Sequence, residues 1–86
     1  MNVEFAKLVN DELVRARAKH GDMTSPHEAY AVILEEVDEV WKEVKKQTQK
    51  RRPERLLKEL VQAAAMCRRA AEDCGLCSST SSAVTP

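Results

Sequence analysis

The chain is 86 residues long, a third of them charged, and its fourteen basic and fourteen acidic side chains cancel. That length allows one domain with a modest core, and the charge balance gives no ground for general affinity to nucleic acid or an anionic membrane surface. Three aromatic residues and two glycines suit amphipathic helices and argue against a β-sandwich or barrel.

The first expected helix runs from about Asn2 to Lys19, with Phe5, Val9, Leu13 and Ala16 at helical spacing and "HGD" (His20 to Asp22) closing it. The second has the clearest start in the chain. In "TSPHE", Ser25 can cap, Pro26 fits the first helical position and Glu28 completes a capping box, and the helix is expected to reach about Gln49. The polar, basic connector "KQTQKRRP" (Lys46 to Pro53) leads to a third helix from Pro53 to about Cys74, stopped at Gly75. Residues 1–75 therefore read as one helical domain. Residues 76–86, which end in "SSTSSAVTP", have no apolar period and read as a disordered tail.

Short connectors make neighbouring helices antiparallel. The fold class is thus all-α, an antiparallel hairpin or bundle of three main helices. Three such helices leave apolar surface uncovered, so homo-oligomerisation, as a homodimer or homotetramer, is the expected cover. No run approaches the roughly 20 apolar residues of a membrane span, and the opening "MNVEFAKLVNDELVR" is too acidic for a signal peptide. Three cysteines, all in the last third, give no disulfide framework, and a reducing cytoplasmic location is the simplest expectation.

The second helix carries five acidic side chains in the nine positions from Glu35 to Glu43. On a wheel of about 100° per residue, Ala29, Val40, Ile33, Val44, Val37, Tyr30, Trp41 and Leu34 form an apolar arc. Glu36, Glu43 and Glu39 follow one another outward from its edge. Like charges at these spacings cost a few tenths of a kcal/mol per pair, and Lys42 and Lys46 offset this mainly for Glu39. On the third helix, Glu59 sits at the edge of a similar arc containing Leu56, Leu57, Leu60, Ala63, Ala64, Cys67, Ala70, Ala71 and Cys74, with Gln62 three residues on. Packing the two arcs together would bring the Glu36/Glu39 edge toward the Glu59/Gln62 edge. Solvated surface is the commoner fate of glutamate-rich faces. Carboxylates that do converge suit magnesium, a hard ion that takes oxygen ligands, water and phosphate.

"LEEVDEV" followed by "KELVQAAAM" resembles the all-α nucleoside triphosphate pyrophosphohydrolases of the MazG-like superfamily, whose signature is Glu-x-x-Glu, a spacer, then Glu-x-x-Asp. Here Glu36-x-x-Glu39, nineteen residues and Glu59-x-x-Gln62 correspond, with glutamine in place of the final aspartate. The likeness covers about His20 to Ala70 and is nearest to short stand-alone members from phages and mobile elements. It implies a magnesium-dependent hydrolase (manganese being the alternative ion) that cleaves a (d)NTP between the α- and β-phosphates to a monophosphate and pyrophosphate. Glu36, Glu39, Glu59 and Gln62 would face the metal, with Glu36 or Glu39 orienting the attacking water and Glu35 and Glu43 as second choices. It also implies assembly as a dimer or tetramer. A phosphoribosyl-ATP pyrophosphatase shares this chemistry; a non-catalytic helical interaction module is the reading from a different class.

Lys19, His27, Arg55 and Arg69 are the candidate substrate contacts, with Arg15 and Arg17 beside Lys19; solvated or helix-capping roles compete for each. The partner is then a nucleotide, with neither nucleic acid nor membrane expected. Cys74 and Cys77 have C-x-x-C spacing but no second pair or nearby histidine for zinc. Nor do they have the βαβ context of a redox dithiol.

Overall fold

The computed structural model describes residues 4–78. The expected helix start at Asn2 and most of the expected tail lie outside that range. Three helices are present, α1 (Phe5–Lys19), α2 (Pro26–Val44) and α3 (Pro53–Asp73), with a short 3₁₀ turn at Thr48–Lys50, and the described residues contain no strand. None of these helices is long and apolar enough to cross a membrane.

The local signals at the ends behave as their chemistry requires. Ser25 Oγ accepts the Glu28 N–H at 3.1 Å, and Pro26 opens α2. Glu28 reaches back one residue further than a standard capping box, accepting from both the backbone N–H and the hydroxyl of Thr24 at 2.7 and 2.8 Å. At the far end of α3, Gly75 takes φ = 75°, the left-handed conformation that glycine adopts without steric cost.

Helix α2 ends at Val44, five residues before the expected Gln49. The cause is Arg51, whose guanidinium donates to the carbonyls of Val44 and Lys46 at 2.7 and 3.2 Å. These are carbonyls that lose their intrahelical partners where a helix stops. The chain then turns through Thr48–Lys50 and re-enters helix at Pro53.

Helix α3 is the centre of the fold. It packs against both α2 and α1, whereas α1 and α2 do not pack against each other. The core is correspondingly small: Val9, Leu13 and Ala16 from α1, Met23 from the loop, Ala29 from α2, and Val61, Ala65 and Met66 from α3. Burying a Val61 or a Met66 contributes about 2 kcal/mol each.

Which faces are buried differs from the wheel reading. On α2 the inward face is Ala29 and Glu43, with Val32, Ile33, Glu36 and Val40 half-buried. Tyr30, Leu34, Val37, Trp41 and Val44 are exposed, by 66, 43, 48, 58 and 37 %. On α3 the buried positions are Val61, Ala65, Met66, Arg69 and Glu72, while Leu57, Leu60 and Cys67 of the expected arc are exposed. Phe5, expected in the core, is 45 % exposed. Of the acidic line of α2, Glu36 and Glu43 thus lie on the inward side and Glu39 is exposed, while the largest apolar side chains face solvent.

Candidate functional site

Because α1 and α2 stand apart over α3, an open cleft of about 1150 Å³ lies between them. Helix α1 contributes Glu12, Arg15 and Lys19, three residues along a single helical stripe. Glu35 and Glu36 project from α2, and Lys58, Gln62 and Arg69 come from α3, over an apolar base of Leu8, Val32, Val61 and Met66.

Glu36 is the electrostatic focus. Burial pushes its carboxyl above the ordinary range, and the charges of Glu59, Glu39, Glu12 and Glu35, in that order, push it further. Glu59 Oε1 is buried and has no hydrogen-bond partner. An orphaned, buried carboxylate oxygen is uncommon in a folded protein and calls for a donor or a cation. Of the like charges acting on Glu36, that of Glu59 is the strongest, although Glu59 itself does not line the cleft.

The remaining expected ligands are placed differently. Glu39 is half-exposed and held by Lys42 at 3.0 Å, over a shallow depression outside the cleft that Glu35, Glu36 and Trp41 also line. Glu43 is buried, with one oxygen on Lys46 at 2.8 Å and the other unpartnered. Gln62 lines the cleft. Among the described residues, no three acidic, histidine or cysteine side chains come close enough to hold an ion between them. The donor chemistry suits a hard divalent ion; the geometry supplies a pair of carboxylates rather than a closed cage. Magnesium is commonly bound in that way, through one or two carboxylates plus water and substrate phosphate.

Of the expected substrate contacts, Lys19 and Arg15 are both exposed and in the cleft. His27 and Arg55 are exposed but lie outside it. Arg69 borders the cleft yet is 6 % exposed and occupied: it donates to the Gly21 carbonyl and the Met66 sulfur, and pairs with Asp73 at 3.7 Å. Its surroundings make it part of an ion-pair knot. Arg17 meets Glu72 at 2.8 Å and Asp73 at 2.9 Å, Arg68 meets Glu72 at 3.0 Å, and Asp73 accepts the Met23 N–H at 2.8 Å. That knot fastens the loop between α1 and α2, which forms one rim of the cleft, to the end of α3.

Two cleft residues were missed in the sequence: Glu12 and Lys58. Glu12 and Arg15 pair with each other at 2.8 Å. The signal was present, since Leu8, Glu12, Arg15 and Lys19 share one face of α1, but nothing local says that this face looks onto α2.

Compared with known protein families, curated proteins and solved structures, the chain finds no match in any of the three.

Proposed function

We propose that this chain is a magnesium-dependent nucleotide pyrophosphohydrolase of the MazG-like type, working as a homo-oligomer. The observation that carries the reading is the meeting of Glu36 with Glu59. A carboxylate whose ionisation is opposed by burial and by four like charges sits opposite one with a buried, unpartnered oxygen. Folding alone gains nothing from that arrangement, whereas a bound cation would reverse its sign.

In this reading Glu36 and Glu59 hold the ion, with Gln62 as a neutral oxygen donor beside them. The ion, when bound, neutralises phosphate charge and sharpens water as a nucleophile. Arg15, Lys19 and Lys58 border the cleft that Glu36 and Gln62 line and supply the positive charge that a polyphosphate requires. Glu35, which lines the cleft beside Glu36, orients the attacking water and takes its proton. Oxygen from that water bonds to the α-phosphorus, the α–β bridging P–O bond breaks, and pyrophosphate leaves with its electron pair.

The exposed stripe of α2 supports oligomerisation. Tyr30, Leu34, Val37, Trp41 and Val44 alternate in steps of four and three residues, the spacing of a helix–helix seam. That same stripe favours a second reading, in which the chain is a non-catalytic helical interaction module.

A panel of ribo- and deoxyribonucleoside triphosphates, incubated with magnesium and assayed for pyrophosphate release, separates the two. Release that depends on magnesium and is lost in Glu36→Gln and Glu59→Gln is the expected result. No release from any nucleotide, with both variants binding magnesium as the parent does, would leave the interaction module.

A further inference from the structure

The neutral total charge averages over two unlike regions. Residues 45–58, which span the end of α2, the 3₁₀ turn and the first turns of α3, hold seven cations against the single carboxylate of Glu54, a net +6. The rest of the chain must therefore carry a net −6, since the whole sums to zero. Two of those cations are already used: Lys46 pairs with Glu43, and Arg51 closes the end of α2. Lys45, Lys50, Arg52, Arg55 and Lys58 are exposed and have no ion-pair or hydrogen-bond partner among the described residues. The positive end of the α3 dipole lies at the same place, with no side chain accepting from its first N–H groups.

We propose that this turn is a docking surface for the phosphodiester backbone of a nucleic acid. Five free cations within fourteen residues repel one another at low ionic strength, and a polyanion relieves all of them at once. The composition of the patch selects among polyanionic partners. Across residues 45–58 the side chains without a polar group are Pro53, the half-buried Leu56, and Leu57, so ten of the thirteen from Lys45 to Leu57 are polar or charged. A membrane-surface segment pairs its basic residues with apolar ones that enter the lipid, and a protein interface takes most of its energy from buried aromatic or aliphatic anchors. Backbone phosphate contacts need neither, and they position a nucleic acid without reading its sequence. Such binding is independent of base identity and does not rest on the hydrolase reading.

The test is fluorescence anisotropy of a labelled DNA duplex of about 25 base pairs, titrated with the full chain between about 50 and 200 mM salt. If all five cations reach phosphates, log K falls against log salt with a slope of about −4.5, and the triple variant Lys50→Gln/Arg52→Gln/Arg55→Gln, its fold checked by circular dichroism, has a slope nearer about −2. Affinity at the lowest salt falls at least about tenfold in that variant. Should the triple variant fail to fold, Lys50→Gln and Arg55→Gln separately are each expected to reduce the slope by about 0.9. Absence of binding at low salt overturns the proposal, as does binding that these substitutions leave unchanged. Capture on phosphatidylserine vesicles without binding to the duplex overturns it too, and points to lipid headgroups instead.

Discussion

Arg17, in the last turns of α1, reaches Glu72 near the end of α3 at 2.8 Å, although 55 residues separate them in the chain. Glu72 keeps only 2 % of its side-chain surface exposed and is held from the other side by Arg68. With α1 and α2 making no direct contact, this pair and its neighbours are the polar fastening of α1 onto the rest of the fold. Glu72→Ala takes a buried carboxylate from two guanidinium groups, leaving Arg17 with Asp73 and Arg68 with Asn10, a loss of about 3 kcal/mol for a buried pair broken on one side. For a domain of this size that is a fall in melting temperature of roughly 12 °C or more. Thermal circular dichroism checks it. A fall of under about 3 °C would mean that the pair sits largely in solvent.

The same knot sets a pH dependence. Burial raises the Asp73 carboxyl, but the Met23 N–H and the charges of Arg17 and Arg69 outweigh it, leaving it below its ordinary value of 3.8. A carboxyl lowered in the folded state adds stability that is fully present above its unfolded value and disappears as pH falls through the folded one. Glu36 has the opposite sign: raised above 4.5, it costs stability as pH climbs from there toward neutral. Melting temperature without metal is therefore expected to hold or rise on acidification from pH 7 toward about 5 and to drop below about 4. In Asp73→Asn the deficit against the parent shrinks as pH falls toward about 3, because the parent loses its ion pairs there as well. A deficit that stayed constant from neutral to acid would remove Asp73 from the account.

The pattern of what was legible follows from the range of the forces. Helix α3 was read to within a residue because Pro53 and Gly75 act on the backbone beside them, and α2 was entered correctly through Ser25 and Pro26. The end of α2 was misplaced because it depends on Arg51, seven residues past the carbonyl it takes. Face assignment failed for another reason. A helical wheel equates apolar with buried, yet the inward face of α3 carries Arg69 and Glu72, whose partners Gly21 and Arg17 are about fifty positions away. Of the site, Glu36 does feel the charge of Glu59, as the pairing of the two arcs implies, but Glu59 does not line the cleft. Arg69 was read as a phosphate contact because no local signal reveals that its guanidinium is already engaged.

Substituting Glu36 by glutamine removes one charge from a crowded carboxylate group and keeps its shape. Without metal, the Glu36→Gln protein is expected to be as stable as the parent or more so at pH 7, since helix propensity barely changes between the two residues. Magnesium is expected to raise the parent's melting temperature and to raise the variant's much less, because a ligand stabilises only the state that binds it. Glu59→Gln should behave alike. Pyrophosphate release, where the parent shows it, should fall by about two orders of magnitude or more in either variant. Destabilised variants that respond to magnesium as the parent does would instead make these glutamates structural.

The apolar stripe of α2 leads to the last expectation. Leu34, Val37 and Trp41 lie at its middle, and Leu57 and Leu60 on α3 are exposed as well, by 36 and 42 %. A dimer stable at micromolar concentration needs about 8 kcal/mol. Burying the exposed half of each such side chain contributes about 1 kcal/mol, so five or six per copy give two copies a gross gain on the order of what assembly requires, before the cost of association. Light scattering at micromolar concentration is expected to give at least twice the 9.7 kDa of one chain. Trp41, 58 % exposed in the single chain, should show emission that shifts to shorter wavelength as concentration rises. Leu34→Glu puts a charge in the seam and should return the mass to that of one chain with helicity retained, since in the isolated fold the residue is largely solvated. Val14, 62 % exposed on α1 and away from the stripe, is the control: Val14→Glu should leave the assembly intact. A monomeric parent, or a Leu34→Glu protein that assembles as the parent does, would show that this stripe is not where copies of the chain meet.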